Sequence, residues 1–197
     1  IETENAVKIP GVLAVLTAKD IPGENQIGYA VPDQPFLNDR KVHYVGDPVA
    51  LVCAEDDYAA QDGVDAVKIE YDPLPASLDI DSTLKPDAVY IHEGGNIALT
   101  TRIRKGDIEK GFRESSIEVE DTYETPYQEH MCLETEAAYA IPEGSRKITV
   151  IGTMQSPFLV REKVAHVLGW RQNQVRIVQA LTGGAFGKKD DMGPLVC

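Results

Sequence analysis

The chain has 197 residues, of which 43% are hydrophobic and 26% are charged, a globular composition with enough apolar material for a core. Its formal net charge of −13 argues against binding to a nucleic-acid backbone, for which a basic surface is expected. No apolar run approaches the roughly 18 residues that a membrane span needs, and no signal peptide is visible, so we expect a cytoplasmic protein. The chain begins without methionine and ends soon after a glycine-rich loop, which we interpret as a fragment of a longer protein.

The first part of the chain predicts mixed α and β structure. GVLAVLTAKDIPG predicts an apolar strand followed by a turn, and KVHYVGDPVALVCAED predicts two strands separated by a turn at 46–48. A helix is expected next, with an apolar face made of Ala60, Val64 and Val67. A strand with Ile69 and Tyr71 on one side follows it. A stretch richer in proline, aspartate and serine then places a domain boundary near residue 88.

The second part predicts a strand–helix–strand unit. Ahead of this unit, 106–116 predicts a turn and a short helix, and IEVEDTYET alternates like a strand. RKITVIGTM also alternates, and its apolar face consists of Ile148, Val150, Gly152 and Met154. QVRIVQAL predicts the second strand of the unit, which leads into the glycine-rich loop.

The helix of this unit has sequence signals at both ends. Ser156 is the expected N-cap, Pro157 the first helical residue, and Gly169 the end. Its buried stripe is predicted to consist of Val160, Val164, Val167 and Leu168. Gln155 therefore lies between a strand and a helix N-terminus, where α/β folds place working residues. The alternative, a loop-stabilising amide, is favoured by the pattern alone.

The loop LTGGAFGKKDD raises the question of a phosphate site. A Walker loop requires glycine where Thr182 stands and a hydroxyl residue where Lys189 stands. A Rossmann fingerprint also requires glycine at Thr182. Ordinary nucleotide binding is therefore not favoured.

Without a phosphate motif, the loop has two remaining interpretations. Gly183, Gly184 and Gly187 would let the backbone approach a ligand, with Phe186 beside it and Asp190 accepting hydrogen bonds. The other interpretation is a tight turn with a packed phenylalanine and solvated charges, which the residues alone favour slightly.

The segment QEHMCLETE places a histidine and a carboxylate four positions apart. On one helix face, His130 and Glu134 could ligate a metal. The segment could equally be a strand, and a buried, hydrogen-bonded His130 is the favoured interpretation.

Three segments together resemble the molybdenum hydroxylases, the xanthine dehydrogenase and aldehyde oxidase family. The stretches GVLAVLTAKDIPG, KVHYVGDPVALVCAED and AVKIEYDPLP resemble that family's α/β hammerhead domain. YQEHMCLETEAAYA resembles a segment early in its cofactor-binding region, and MQSPFLVREKVAHVLG with GGAFGKKD is similar to its TQ and GGGFGxK motifs. The resemblance covers nearly the whole chain. It implies an α+β fold, with a hammerhead domain at 1–88 that lacks its first strand and the start of a molybdopterin-binding domain at 89–197.

The resemblance also implies roles for particular residues. Gln155 and Phe186 would lie near molybdenum, with Gly184 and Gly187 among the cofactor-binding residues. Asp190 stands where xanthine dehydrogenases carry a substrate-binding glutamate. Because its side chain is shorter, the resemblance does not decide between a purine and another N-heterocycle as the substrate. No catalytic residue is assigned within the chain, because the family's general-base glutamate is expected beyond residue 197.

The implied activity is oxidative hydroxylation of a purine or another N-heterocycle, with water as the oxygen source. The implied cofactor is molybdenum–molybdopterin, and a cytosine dinucleotide form of the pterin is left open. A [2Fe–2S] cluster and FAD are expected on other domains or subunits of an oligomer, and the chain alone is expected to be inactive. An aldehyde oxidoreductase of the same family and a non-catalytic structural fragment are the alternatives.

Overall fold

The computed structural model describes residues 1–28, 30–126, 128, 130–191 and 193–197. Contacts divide the chain into two units, Ile1–Pro73 with His130–Cys197, and Leu74–Glu129. The strands are β1 (Val12–Thr17), β2 (Ala50–Ala54), β3 (Ala138–Pro142), β4 (Ile148–Gly152) and β5 (Val175–Gln179). The helices are α1 (Asp57–Ala66), α2 (Ile80–Thr83), α3 (Ile108–Glu114), α4 (Pro157–Leu168) and α5 (Gly193–Val196).

In the first unit, β1 and β2 form an antiparallel pair that helix α1 covers. The register runs from Val12 opposite Ala54 to Thr17 opposite Ala50. The predicted helix is confirmed, but its predicted apolar face is wrong, since the buried residues are Ala59 and Gly63. A Cβ atom built on Gly63 would lie 2.8 Å from Val52 Cγ1, so the helix approaches the strands too closely for larger side chains.

Two strands predicted in this region do not form. The 41–45 stretch lacks strand structure because the turn after it captures its backbone: His43 N donates to Asp47 Oδ2 at 2.7 Å. The stretch around Ile69 and Tyr71 makes only an isolated bridge, between Lys68 and Glu2. That ladder stops because the chain after Glu2 turns into a 3₁₀ helix at Ala6–Lys8.

The predicted strand–helix–strand unit β4–α4–β5 is confirmed. Strands β4 and β5 are parallel, and β3 pairs antiparallel with the other side of β4. The apolar core between sheet and helix consists of Val150, Met154, Val160, Val164, Ala165 and Val175. Gly169 ends α4 in the left-handed conformation, as expected of a C-cap. Local periodicity was sufficient to predict this unit because its strands and helix pack on each other.

The face of α4 away from the sheet is held by the N-terminal part of the same unit. The buried ammonium of Lys163 donates to Gly28 O at 2.9 Å. Gly23 N donates to Val167 O at 2.9 Å, and Val167 packs with Phe36 and Leu37 in a second cluster. The helix that follows Gln155 is therefore fixed on two sides.

The second unit, Leu74–Glu129, contains α2 and α3. Helix α3 confirms the helix predicted within 106–116, and Asp107 caps it by accepting from Lys110 N at 2.9 Å. The strand predicted from IEVEDTYET is wrong: no described residue of 117–125 pairs with another strand, and Ile117 and Val119 are 79% and 85% exposed. Alternation indicates a face but does not supply a hydrogen-bonding partner.

The described helices and strands agree with the predicted α+β class. Within the described residues, no helix combines the length and apolarity that crossing a membrane would require.

Candidate functional site

The candidate site is built where β4 and β5 end side by side. Because the two strands are parallel, their last residues, Gly152 and Gln179, are paired, and the segments after them leave the sheet at one edge. Two hydrogen bonds continue the contact beyond the strands: Ala180 N donates to Gly152 O at 2.8 Å, and Gln179 Nε2 donates to Met154 O at 2.8 Å. Gln155 follows the first strand, and the glycine-rich loop follows the second.

Gln155 and Asp190, which the sequence placed in separate motifs, are brought together here. Gln155 N donates to Lys189 O at 3.1 Å, so the backbones of the two motifs are bonded directly. Next to this contact, Ser156 Oγ donates to Asp190 Oδ1 at 3.2 Å. Ser156 has the predicted N-cap position but makes no side-chain cap bond to α4, because its hydroxyl is directed at Asp190 instead.

The loop between Gly183 and Lys189 holds Phe186 outward. Phe186 has φ of 50°, a left-handed conformation that non-glycine residues rarely adopt, and 75% of it is exposed. Its ring lies against Gly184 of the same loop, where an added Cβ atom would be 3.2 Å from Phe186 Cε2. Gly187 follows with φ of 93°. The structure therefore places Gly184, Phe186 and Gly187 on one exposed loop and does not pack the phenylalanine into a core.

A carboxylate from a distant part of the chain holds both ends of this loop. Glu134 accepts from Gly183 N with Oε2 and from the ammonium of Lys189 with Oε1. Lys189 is only 1% exposed, so its charge needs such a partner. The Lys189 ammonium, and then the Gly183 N–H, lower the pKa of Glu134 below its ordinary range. Sequence reasoning missed this pairing because nothing near Lys189 in the chain indicates a residue 55 positions away.

The less favoured interpretation, in which His130 and Glu134 share one helix face as metal ligands, is not supported by the structure. The 130–137 segment is neither helix nor strand, so a spacing of four does not place the two side chains on one face. The carboxylate of Glu134 is instead bonded to the ammonium of Lys189. The favoured alternative, a buried His130, is also wrong because His130 is exposed. Its ring lies against the loop instead: a Cβ atom on Gly187 would be 3.1 Å from His130 Cε1.

A second acidic residue of the same segment contacts the loop less closely. Glu136 Oε2 lies 3.6 Å from the ammonium of Lys188, which is also 3.9 Å from Asp191 Oδ2. The 130–136 segment thus borders the loop along its length. Only Glu134, however, bonds to the loop backbone among the contacts described.

A cleft of about 450 Å³ lies between α4 and β5, and its lining extends to Gln179 at the end of β5 and to Pro157 at the start of α4. Its lining includes Phe158, Arg161 and Arg176 but none of the five predicted site residues. The cleft therefore adjoins the edge where β4 and β5 end, while the predicted site residues lie outside its lining.

Two family models match the chain. The model described as "Molybdopterin cofactor-binding domain" matches residues 91–197. The model described as "Aldehyde oxidase and xanthine dehydrogenase, a/b hammerhead domain" matches residues 1–75. The candidate site lies wholly within the first of these ranges.

The chain is also similar to longer proteins. It is 38% identical to a probable xanthine dehydrogenase subunit from Bacillus subtilis, over 96% of this chain and 26% of that protein. It is 36% identical to the nicotinate dehydrogenase large molybdopterin subunit of Eubacterium barkeri, over 98% of this chain and 45% of that protein. The aldehyde oxidoreductase structure from Desulfovibrio gigas matches with a TM-score of 0.88 at 28% identity, over 99% of this chain and 23% of that one. The chain thus spans 23% to 45% of the length of these proteins.

Proposed function

The chain belongs to the molybdopterin cofactor-binding family of molybdenum hydroxylases, and from this premise we propose that it is part of an enzyme that oxidatively hydroxylates a purine or another N-heterocycle. In this reaction a ring C–H bond is replaced by a C–O bond whose oxygen comes from water, and two electrons and two protons are released to the cofactor and solvent. The observation that carries the proposal is the meeting of Gln155, the Phe186–Gly187 loop and Asp190 at one sheet edge.

The residues at this edge fit a molybdopterin cofactor. Gly183 and Gly187 are exposed, so the loop presents main chain to solvent at these two positions. The side chains of Glu134 and His130 fill the space that a Cβ atom would take there. Gly184, Phe186 and Gly187 would hold the cofactor through this backbone. When bound, the group supplies an activated water-derived oxygen and accepts the substrate's two electrons.

Gln155 would orient the cofactor from the strand side. Its backbone is bonded to Lys189 O, and the helix after it is fixed on two faces, so its exposed side-chain amide projects from a rigid base. An amide N–H can donate to an oxygen of the cofactor. A site assembled on rigid elements keeps such a donor in place without rearrangement.

Asp190 and Phe186 would select the substrate. A carboxylate accepts hydrogen bonds from ring N–H groups, and the hydrogen bond from Ser156 fixes one of its oxygens. The exposed ring of Phe186 offers an apolar face to a planar heterocycle. The names of the xanthine and nicotinate relatives support this substrate class.

Aldehyde oxidation is the second candidate, and the similarity in structure to an aldehyde oxidoreductase favours it. A plain aldehyde has no ring N–H for Asp190 to accept from. An N-heterocycle therefore makes fuller use of the residues present.

Further features of the whole protein follow from the same proposal. Electrons would leave through a [2Fe–2S] cluster and FAD on other domains or subunits of an oligomer, in the cytoplasm. The division of the chain near residue 88 into a hammerhead domain and a cofactor-binding domain also stays a prediction.

The test is molybdenum and pterin content of the full-length protein purified with its native partners, followed by a screen of reductants. About one molybdenum per chain, with purines or nicotinate reducing an electron acceptor faster than aldehydes, is the expected result. Faster turnover of aldehydes would favour the second candidate. Absence of molybdenum from the folded complex would contradict the proposal and leave a structural role.

A further inference from the structure

We infer that Glu134 is a positioning residue, whose carboxylate holds the ends of the glycine-rich loop so that Phe186 and Gly187 keep the backbone conformation that a ligand requires. Glu134 lies outside the loop, and the sequence offered it only as a candidate metal ligand with His130. Its two oxygens reach Gly183 at the start of the loop and Lys189 at the end.

The conformation of the loop is unfavourable at Phe186 and is kept by constraints on the surrounding backbone. A non-glycine residue in the left-handed region, as Phe186 is at φ 50°, persists only where its surroundings determine it. Phe186 itself is 75% exposed and makes little packing contact that could do so. One constraint is local, since Lys188 N donates to Ala185 O at 2.9 Å and closes the turn that contains Phe186 and Gly187. Glu134 adds a second constraint at the two ends of the loop.

Burial makes the Lys189 end of this constraint strong. An ammonium with 1% exposure is held by its partner, because separating the two would leave a charge in a dry environment. The backbone of Lys189 is in turn bonded to Gln155, because its carbonyl oxygen accepts a hydrogen bond from Gln155 N at 3.1 Å. Glu134 is thus connected to the predicted cofactor residue Gln155 through one intervening residue.

The Gly183 end depends on glycine and on the carboxylate together. A Cβ atom on Gly183 would lie 2.7 Å from Glu134 Oε2, so a side chain there would displace the acceptor. The neighbouring Glu136 serves as a comparison. It has the same charge and borders the same loop, but its closest described contact is the half-exposed Lys188 ammonium at 3.6 Å.

Single variants would confuse positioning with folding, because Glu134→Gln leaves the Lys189 ammonium buried without a counter-charge. The informative comparison is between two double variants, made in the full-length protein with its partner subunits. Glu134→Gln with Lys189→Met removes both charges and retains a side-chain oxygen for Gly183 N–H. Glu134→Leu with Lys189→Met removes both charges and that oxygen, and a buried ion pair replaced by apolar groups is commonly tolerated.

The readouts are molybdenum content, amide hydrogen exchange of the 183–187 backbone, and kcat separately from KM. We expect the Gln/Met protein to stay close to the wild type. The Leu/Met protein is expected to fold, to exchange its 183–187 amides on the order of tenfold faster, and to lose kcat by about 10- to 100-fold, because small displacements of a reacting group are costly. The control Glu136→Gln should leave exchange at 183–187 within about twofold of the wild type.

Equal hydrogen exchange and equal molybdenum content in the two double variants would overturn the inference. Unfolding of both would also overturn it, since Glu134 would then serve folding alone. The effect on kcat rests on the proposed function, whereas the exchange comparison does not. If the wild-type protein contained no molybdenum, the proposed function would be rejected. Faster exchange in the Leu/Met variant alone would still support the inference about Glu134.

Discussion

Ser156 Oγ donates a hydrogen bond to Asp190 Oδ1 at 3.2 Å and so joins the start of α4 to the end of the glycine-rich loop. The hydroxyl makes no cap bond to its own helix, which leaves the carboxylate as its described partner. The Ser156 hydroxyl therefore orients Asp190 of the candidate site and does not cap helix α4.

Ser156→Ala should raise KM for an N-heterocyclic substrate by a few fold with little change in kcat, because Asp190 would lose one orienting bond that contributes equally to substrate and transition state. The free energy of unfolding should fall by only about 0.5–1.5 kcal/mol. Steady-state kinetics of the full-length enzyme measure the first effect and denaturant unfolding the second. Ser156→Thr keeps the hydroxyl and is the control; an equal rise in KM for both variants would contradict the assignment.

The lowered pKa of Glu134 predicts that the stability of the folded protein decreases at acidic pH. A carboxyl whose pKa is below its ordinary value of 4.5 in the folded protein stabilises the fold at pH values above 4.5, and this contribution is lost as the pH falls through the folded-state pKa. The difference in denaturation midpoint between wild type and Glu134→Gln should therefore be largest near pH about 6 and shrink toward about 3. A difference that stays constant over this range would show that the charge of Glu134 is not involved.

The contact of α1 with the first hairpin predicts opposite effects of two glycine substitutions within helices. Gly63→Ala should destabilise the protein by about 1–3 kcal/mol, because its Cβ would lie 2.8 Å from Val52 Cγ1 and 2.9 Å from Val12 Cγ2. Gly111→Ala, in α3, meets nothing within 4 Å and should stabilise by about 0.5–1 kcal/mol. Thermal or denaturant unfolding of the full-length protein compares the two. A stabilising Gly63→Ala would refute the close packing of this helix.

Gly187 and Gly144 allow backbone strain to be separated from site function. Both have positive φ, 93° and 69°, so alanine at either position should lower stability by about 1–2 kcal/mol. Only Gly187 borders the candidate cofactor surface, where its Cβ would also lie 3.1 Å from His130 Cε1. Gly187→Ala should therefore lose molybdenum, while Gly144→Ala retains it. Equal retention of the metal in the two variants would argue against a cofactor role for this loop.

The elements that could be predicted from sequence are those whose partners lie close in the chain. The β4–α4–β5 unit follows from alternation, from an apolar stripe of period 3.6, and from end signals at Ser156 and Gly169, and its members pack on one another. The strand predicted at 117–125 had the same alternation, but neither it nor the strand predicted at 41–45 has a partner strand in the described chain. Alternation reports a potential face, and hydrogen bonding to a second strand decides whether a strand exists.

The sequence by itself determined the order of the motifs and the strand–helix–strand unit. It also determined that Gln155 follows the first strand of this unit and that Phe186, Gly187 and Asp190 lie in the segment after the second. Only the tertiary structure decided that Gly63 rather than Val64 faces the hairpin, and that Glu134 rather than a nearby residue neutralises Lys189. The physical reason is the same in both cases. How closely a backbone can approach, and whether a buried charge is neutralised, depend on the residue on the other side of the contact. In both cases that residue is distant in the sequence.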